Sequence, residues 1–314
     1  MSEIRQGRMV VLVDDDASST NEGVVMVAAE HCHAFHVNFM ARQARGLVCL
    51  ALTRERCKQL DLTSMVAGGS DKKPNFTTSI EAAQGIDTGI SAADRAHTIK
   101  TAVASHASSV DIVQPGHVFP LMVASGGVLM RAGLTEAASD YAGLSGLTPA
   151  AVISDVLTSE GELADNLKLS EFASKHQLKL GSIAELINFR LTNEHTIKKI
   201  RTGNIETLFG SFNLAVYKDS VAGGNHIALW RGEISSDVAT LVRVHVSSVM
   251  RDLISCKSFL SKSWSFMQSL RYISESSGGV IVLVDTQESE RQLLSNIDLS
   301  LGLSDAEDLM HTDS

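Results

Sequence analysis

Arg131, Gly133 and Thr135 carry the densest chemistry in this chain: a guanidinium stands four residues ahead of a hydroxyl, with a glycine between them. A guanidinium presents a planar fork of donors that matches a phosphate. The first turn of a helix adds backbone N–H groups that have no partner inside the helix. Thr135 sits where an N-cap belongs, before a helical segment that ends near Gly146. Together these groups suit the gripping of a phosphate; a capped helix beside a surface arginine is the plainer reading of the same residues. His117, just after Pro115-Gly116, can move a proton or can anchor that turn. Asp14, Asp15, Asp16 and Glu22 are oxygen donors of the kind a hard divalent cation takes, although three consecutive aspartates also make an ordinary solvated loop.

The elements that must position these groups follow from hydrophobic patterning. Met9 to Val13 and Val24 to Ala29 read as strands, Phe35 to Ala44 as a helix, and Gly46 to Leu52 as a buried strand. Ser91 with Asp94, and Ser182 with Glu185, are capping-box pairs that open helices. The apolar runs His117 to Val123 and Val128 to Met130 flank Ala-Ser-Gly-Gly, a hairpin signal. His31, His33 and His36 invite a metal reading, but on a helix they do not share one face. The polar stretch Thr192 to Gly203 reads as a linker, and Ile205 to Val216 as the first strands of a second domain. The acidic tail Asp305 to Ser314 reads as disordered.

At 314 residues the chain is long enough for two domains, and 44% hydrophobic residues suffice for their cores. Net charge is −9, with 18 basic against 22 acidic residues up to position 200 and 9 against 14 beyond it. Neither part is basic, which disfavours a nucleic-acid partner. The four cysteines, Cys32, Cys49, Cys57 and Cys256, follow neither a disulfide framework nor a zinc-finger spacing. With no signal peptide and no membrane-length apolar run, a cytoplasmic protein is expected.

Four segments, VLVDDDASSTNEG (11–23), TGISAADR (88–95), QPGH (114–117) and Gly126 to Ala137, resemble in order and spacing the 3,4-dihydroxy-2-butanone 4-phosphate synthases of riboflavin biosynthesis. The resemblance runs from about residue 5 to 192, and a weaker one, to the amino-terminal part of GTP cyclohydrolase II, from about 200 to 300. It implies an α+β fold: a layered synthase-type domain at 1–195, then a smaller, truncated α/β cyclohydrolase II-like domain at 196–314. It also implies a homodimer. The family converts ribulose 5-phosphate to the four-carbon phosphate and formate, with magnesium held by a glutamate of the acidic loop and a histidine before Thr-Glu-Ala.

Carried over residue by residue, the resemblance is mixed. Arg131, Gly133 and Thr135 match phosphate-contact positions, Asp94 and Arg95 match substrate-site positions, and His117 matches a functionally required histidine. Leu134, however, occupies the metal-ligating histidine position, and leucine offers no lone pair. Ser19 and Thr20 stand in the region of the family's Arg-Glu pair, Val24 replaces an aspartate, Gln114 and Met122 replace arginines, and Asp155 replaces a catalytic glutamate. Magnesium would then be held only if Asp14, Asp15, Asp16 or Glu22 substituted for the lost ligands. In the second domain Arg243, Val244 and His245 match, but the zinc-binding cysteine positions fall at Ser248, Phe259 and Ser261, so no zinc is expected. The family's Arg-Gln-Glu-Gly-Arg stretch reads Thr286, Gln287, Glu288, Ser289 and Glu290.

Two functions fit this pattern. One is a pseudoenzyme, regulatory or scaffolding, that binds a sugar phosphate as a homodimer or as a mixed dimer with an intact paralogue. The other is a diverged lyase or isomerase acting on a sugar phosphate, with His117 and Asp155 as acid and base. Residual synthase activity is a third, lesser expectation.

Overall fold

The computed structural model describes residues 1–15, 22–66, 75–221, 223–235, 237, 239–257, 263–285, 288, 290–301 and 303. Asp16, the loop positions Ser19 and Thr20, the zinc-site positions Phe259 and Ser261, Thr286, Gln287 and Ser289, and the acidic tail from Asp305 lie outside the described residues. The chain divides into two compact units, Met1–Glu194 and His195–Ser314.

In the first unit the strands are β1 (Val10–Val13), β2 (Gly23–Ala28), β3 (Cys49–Leu52), β4 (Asn75–Phe76), β5 (Ile80–Ala82), β6 (Ile112–Met122), β7 (Ala150–Asp155) and β8 (Lys179–Ser182). The helices are α1 (Ser2–Arg5), α2 (Ala34–Phe39), α3 (Arg54–Gln59), α4 (Ala92–Val103), α5 (Leu134–Leu144), α6 (Asn166–His176) and α7 (Ile183–Asn193). The sheet runs β4-β6-β3-β7-β2-β1-β8, with β5 also on β6, and it mixes parallel and antiparallel pairs.

Strand alternation builds two cores, one on each face of this sheet. Val11, Val25, Val27, Leu50 and Val152 point to one face and pack with Val37 of α2, Ile99 of α4 and Leu169 of α6. Val10, Leu12, Val24, Met26 and Ile153 point to the other and meet Ala137, Ala138 and Ala142 of α5 and Leu186 of α7. The result is the layered α+β domain expected from the sequence. The small alanine face of α5 lets that helix lie close against the sheet, which brings its first turn over the strand ends.

The expected hairpin at 124–127 does not form. After Met122 the chain instead makes a single 3-10 turn, Gly127–Leu129, and proceeds to α5. Gly126 and Gly127 both have positive φ, +97° and +62°, and a Cβ on Gly127 would run into the Asp140 carboxylate. That carboxylate accepts the Val128 N–H at 2.9 Å, and Arg190 of α7 binds both Asp140, at 2.6 Å, and the Gly126 carbonyl, at 2.9 Å. The turn is therefore pinned to α5 and α7, contacts that a local turn signal cannot report.

Two further expectations are corrected. The N-cap of α5 is Gly133, extended at φ −129° and ψ 155°, whose carbonyl accepts the Ala137 N–H at 2.9 Å; Thr135 is already inside the helix. The stretch Thr192 to Gly203 is not a linker throughout, because Ile197–Thr207 forms strand β9. Its polar residues reflect an exposed edge strand, which favours charges that discourage pairing. By contrast Ser91 and Ser182 do cap α4 and α7, accepting the Asp94 and Glu185 N–H groups.

The second unit is a five-stranded sheet in the order β12-β13-β11-β10-β9, with β10 (Gly210–Asp219), β11 (Asn225–Arg231), β12 (Val242–Val246) and β13 (Gly279–Val284). The helix Phe266–Glu275 packs Leu270 and Ile273 onto Phe212, Leu229 and Ile281. Among the described residues of the whole chain, no helix is long and apolar enough to cross a membrane.

Arg190 provides a test of how the first unit is held. Its side chain is 12% exposed and its partner Asp140 16%, so Arg190→Met leaves a largely buried carboxylate without its cation. Chemical denaturation should register a loss of about 3 kcal/mol. Glu194→Gln, which removes the more exposed partner, should cost less than about 1 kcal/mol.

Candidate functional site

A cavity of about 270 Å3 opens under the first turn of α5, and the fold brings to it residues from several separate stretches of the sequence. Asp14 and Glu22 come from the two ends of the β1–β2 connection, where the Asp14 N–H donates to the Glu22 carbonyl at 2.9 Å. Asp155 ends β7 and pairs in register with Val24. Arg131, Gly133, Leu134, Thr135 and Glu136 form the helix-side wall.

The Arg131 edge of this cavity is organised by Glu136, which the sequence reading passed over. Glu136 is fully buried. Its Oε1 accepts the Ala124 N–H at 2.9 Å and a short hydrogen bond from Arg131 Nη2. Its Oε2 is buried and has no hydrogen-bond partner among the described residues. A Cβ at position 133 would come within 2.7 Å of that oxygen, so a larger residue there would press on the Glu136 carboxylate. Arg131 is thus held at the cavity edge by a group five residues along the chain. Thr135 is buried beside it, and the helix N-terminus contributes unpaired N–H groups. The sequence signal for Glu136 was its place one turn into a helix behind an arginine.

The metal corner is different in kind. Leu134 is half-buried and packs against the apolar cluster between the sheet and α5. Asp15 is turned away: its carboxylate accepts the Ser182 hydroxyl at 2.6 Å and the Ala184 N–H at 3.1 Å, at the start of α7. Burial opposes ionisation there, but those two donors hold the Asp15 carboxyl below its usual range. Among the described residues the carboxylates at the cavity are Asp14, Glu22, Asp155 and the occupied Glu136. Desolvation first, and the charge of Glu22 second, raise the Asp155 carboxyl above the ordinary range. Asp155 is exposed as a residue, which softens that shift. Among the described residues, no group of three or more His, Cys, Asp or Glu is gathered to hold a metal ion. The donor set at Leu134 does not fit the family's magnesium arrangement.

The remaining residues singled out in the sequence are dispersed. His117 lies on β6 with Nδ1 in a short contact to Glu81, and it is not among the cavity walls. Asp94 is buried on α4, where its carboxylate accepts the Gly89 N–H at 3.1 Å. The Ser91 hydrogen bond, first among the causes, holds Asp94 below the usual range. Arg95, beside it, has a buried Nε without a hydrogen-bond partner among the described residues. Neither lines the cavity. His33 and His36 form the cap of α2, with Lys100 Nζ 3.0 Å from His33 Nδ1. Burial and the neighbouring His33 push His36 down to about 4. Cys49 does line the cavity, but burial, then Asp155, push its thiol up to about 12, so it stays protonated.

In the second unit the surroundings of Ser248 are organised by a carboxylate. Asp252 accepts the Ser248 N–H at 2.9 Å and the Phe266 N–H at 2.8 Å, contacts His245 Nε2 at 3.0 Å, and pairs with Arg251 at 3.0 Å. Burial works against the charge, but these donors hold Asp252 far below the usual carboxylate range. His245 is buried, and desolvation lowers it despite Asp252. Glu288 accepts the Val249 N–H at 3.0 Å. The Cys256 sulfur lies 3.7 Å from Ser300 Oγ. With serine at 248 and no thiolate at 259 or 261, the residues present do not fit a zinc site.

Comparison with known proteins agrees with this division into units. The family model described as 3,4-dihydroxy-2-butanone 4-phosphate synthase matches residues 1–189, and that described as GTP cyclohydrolase II matches residues 198–309. A protein of Pseudomonas syringae pv. tomato named 3,4-dihydroxy-2-butanone 4-phosphate synthase is 46% identical over 298 residues, covering 95% of this chain and 80% of its own length. The riboflavin biosynthesis protein RibBA of Aquifex aeolicus is 42% identical over 292 residues, 90% of this chain and 70% of that protein. Among solved structures, the two-domain 3,4-dihydroxy-2-butanone 4-phosphate synthase RibBX of A. baumannii superposes with a TM-score of 0.74 at 42% identity, covering 96% of this chain and 87% of that one. A synthase structure in complex with two magnesium ions superposes with a TM-score of 0.58 at 34% identity, over 61% of this chain and 94% of that one.

Asp252 supplies the prediction for the second unit, whose unfolding can be followed alone because both tryptophans, Trp230 and Trp264, lie in it. Asp252→Asn should lower its unfolding free energy by about 2–3 kcal/mol. EDTA should leave the natural protein's transition in place. Since the folded carboxyl is depressed below the unfolded value, its contribution should be complete above roughly pH 4 and be lost as the pH falls below that.

Proposed function

This chain belongs to the 3,4-dihydroxy-2-butanone 4-phosphate synthase family, and from that premise we propose that it serves riboflavin biosynthesis as a phosphosugar-binding protein impaired in the family reaction. The observation that carries the reading is the contrast within one cavity. Arg131, Gly133 and Thr135 stand at the start of α5 as a phosphate site needs, while Leu134, between them, gives the metal position a half-buried apolar side chain packed against the core. Binding is kept and the Lewis acid is not. The role is regulatory or scaffolding, exercised as a homodimer or as a mixed dimer with an intact paralogue in the cytoplasm. The second unit adds no zinc-dependent GTP hydrolysis, because serine stands at 248 and no thiolate at 259 or 261.

A second reading, a diverged lyase or isomerase, draws on Asp155. A carboxyl raised by desolvation and by Glu22 at the edge of the same cavity is suited to holding and returning a proton. His117, the acid–base partner of this reading, does not line that cavity among the described residues.

The test is incubation of the pure protein with ribulose 5-phosphate and magnesium, with formate and the four-carbon phosphate followed by NMR beside a Leu134→His variant. The proposal expects no product from the natural protein; turnover would sink it. Calorimetry should show ribulose 5-phosphate binding that weakens about tenfold or more in Arg131→Met. Product from another sugar phosphate that vanishes in Asp155→Asn would favour the second reading.

A further inference from the structure

The second unit contains a cavity of about 430 Å3 between β12 and the helix Phe266–Glu275, unconnected with the proposal above. It arises because β12 is an inverted strand. In Val242-Arg243-Val244-His245 the valines are the exposed residues, at 57% and 60%, and the basic residues point inward. Arg243 therefore delivers a guanidinium into a space whose walls are Leu241, Ile273, Trp264 and Tyr272. The two aromatic rings meet edge-on, with centroids 4.9 Å apart at 61°.

That guanidinium is incompletely satisfied. Nη2 donates to Ser263 Oγ at 3.0 Å, while Nε is buried with no hydrogen-bond partner among the described residues. The nearby Asp252 is committed to His245 and Arg251. Among the described residues no carboxylate lines the cavity, and the neighbouring stretch 258–262, Ser-Phe-Leu-Ser-Lys, contains none in its sequence. A cation and an orphaned donor held in a partly apolar cavity are costly unless an anion completes them. The aromatic and aliphatic walls in turn favour a flat apolar body, and the volume lies within the range of small-molecule pockets.

We infer that this cavity binds a small aromatic anion, a flat ring system bearing a carboxylate or sulfonate, with the anionic group on Arg243 and the ring against Trp264 and Tyr272. The head group accepts from the Arg243 guanidinium, and the Ser263 hydroxyl lies alongside to supply a further donor. A nucleotide is disfavoured, since a triphosphate would need several cations and Arg243 is the only basic residue lining the cavity among those described.

The test uses the full chain and 2-naphthoate as probe, with binding read by isothermal titration calorimetry. Binding should be measurable below millimolar concentration and should weaken about tenfold or more in Arg243→Met. The uncharged 2-naphthylmethanol should bind correspondingly less well. Trp264→Ala, at a half-exposed residue, probes the same site without touching the buried guanidinium and should also lose about tenfold. Tryptophan-monitored denaturation checks that each variant is folded. Equal binding of the neutral and charged probes, no heat at millimolar 2-naphthoate, binding indifferent to both substitutions, or tighter binding of GTP that displaces the probe would each overturn the assignment.

Discussion

A carboxylate without access to solvent has to be compensated where it stands, and Glu136, in the first turn of α5, is such a group. Its compensation fixes the whole edge of the cavity. The Ala124 N–H ties it to the end of the segment that follows β6, Arg131 supplies the counter-charge, and Gly133 leaves room for its second oxygen. The chain between Ala124 and Gly133 is thereby drawn around one buried charge, while Asp140 and Arg190 pin the turn within it from the other side. Arg131 consequently has two duties. It neutralises Glu136 and it faces the cavity, so the fold itself gives it a role apart from any ligand.

The same economy of charge appears at both positions where the family implies a metal. In the first unit Asp15 has been taken up by the start of α7, and Leu134 has joined the apolar packing under α5. In the second unit Asp252 gathers two backbone N–H groups, a histidine and an arginine around Ser248. These hydrogen bonds and ion pairs tie the local backbone through protein groups, although His245 Nδ1 is buried without a partner among the described residues.

Much of this was legible in the chain. Alternation in Val10–Val13 and Val24–Ala28 gives strands that feed two cores, and Ser91 and Ser182 give real helix starts. Arg131, Gly133 and Thr135, singled out together from the sequence, line one cavity. What escaped the sequence depends on contacts between distant residues. The Ala-Ser-Gly-Gly turn looks like a hairpin until Asp140 and Arg190 are placed beside it. Thr135 looks like a cap until the extended Gly133 is seen to take that position. Ile197–Thr207 looks like a linker because an exposed edge strand carries no alternation to read. His117 and Asp155, paired on chemical grounds, occupy different places in one chain.

The central claim is that one cavity has kept its phosphate corner and lost its metal corner. A crystal structure of the protein grown with ribulose 5-phosphate and magnesium tests it most directly. The account predicts a phosphoryl group seated between Arg131 and the first turn of α5 at Thr135, with no metal ion beside Leu134. A magnesium ion coordinated by Asp14, Glu22 or Asp155 and touching the bound sugar would contradict it.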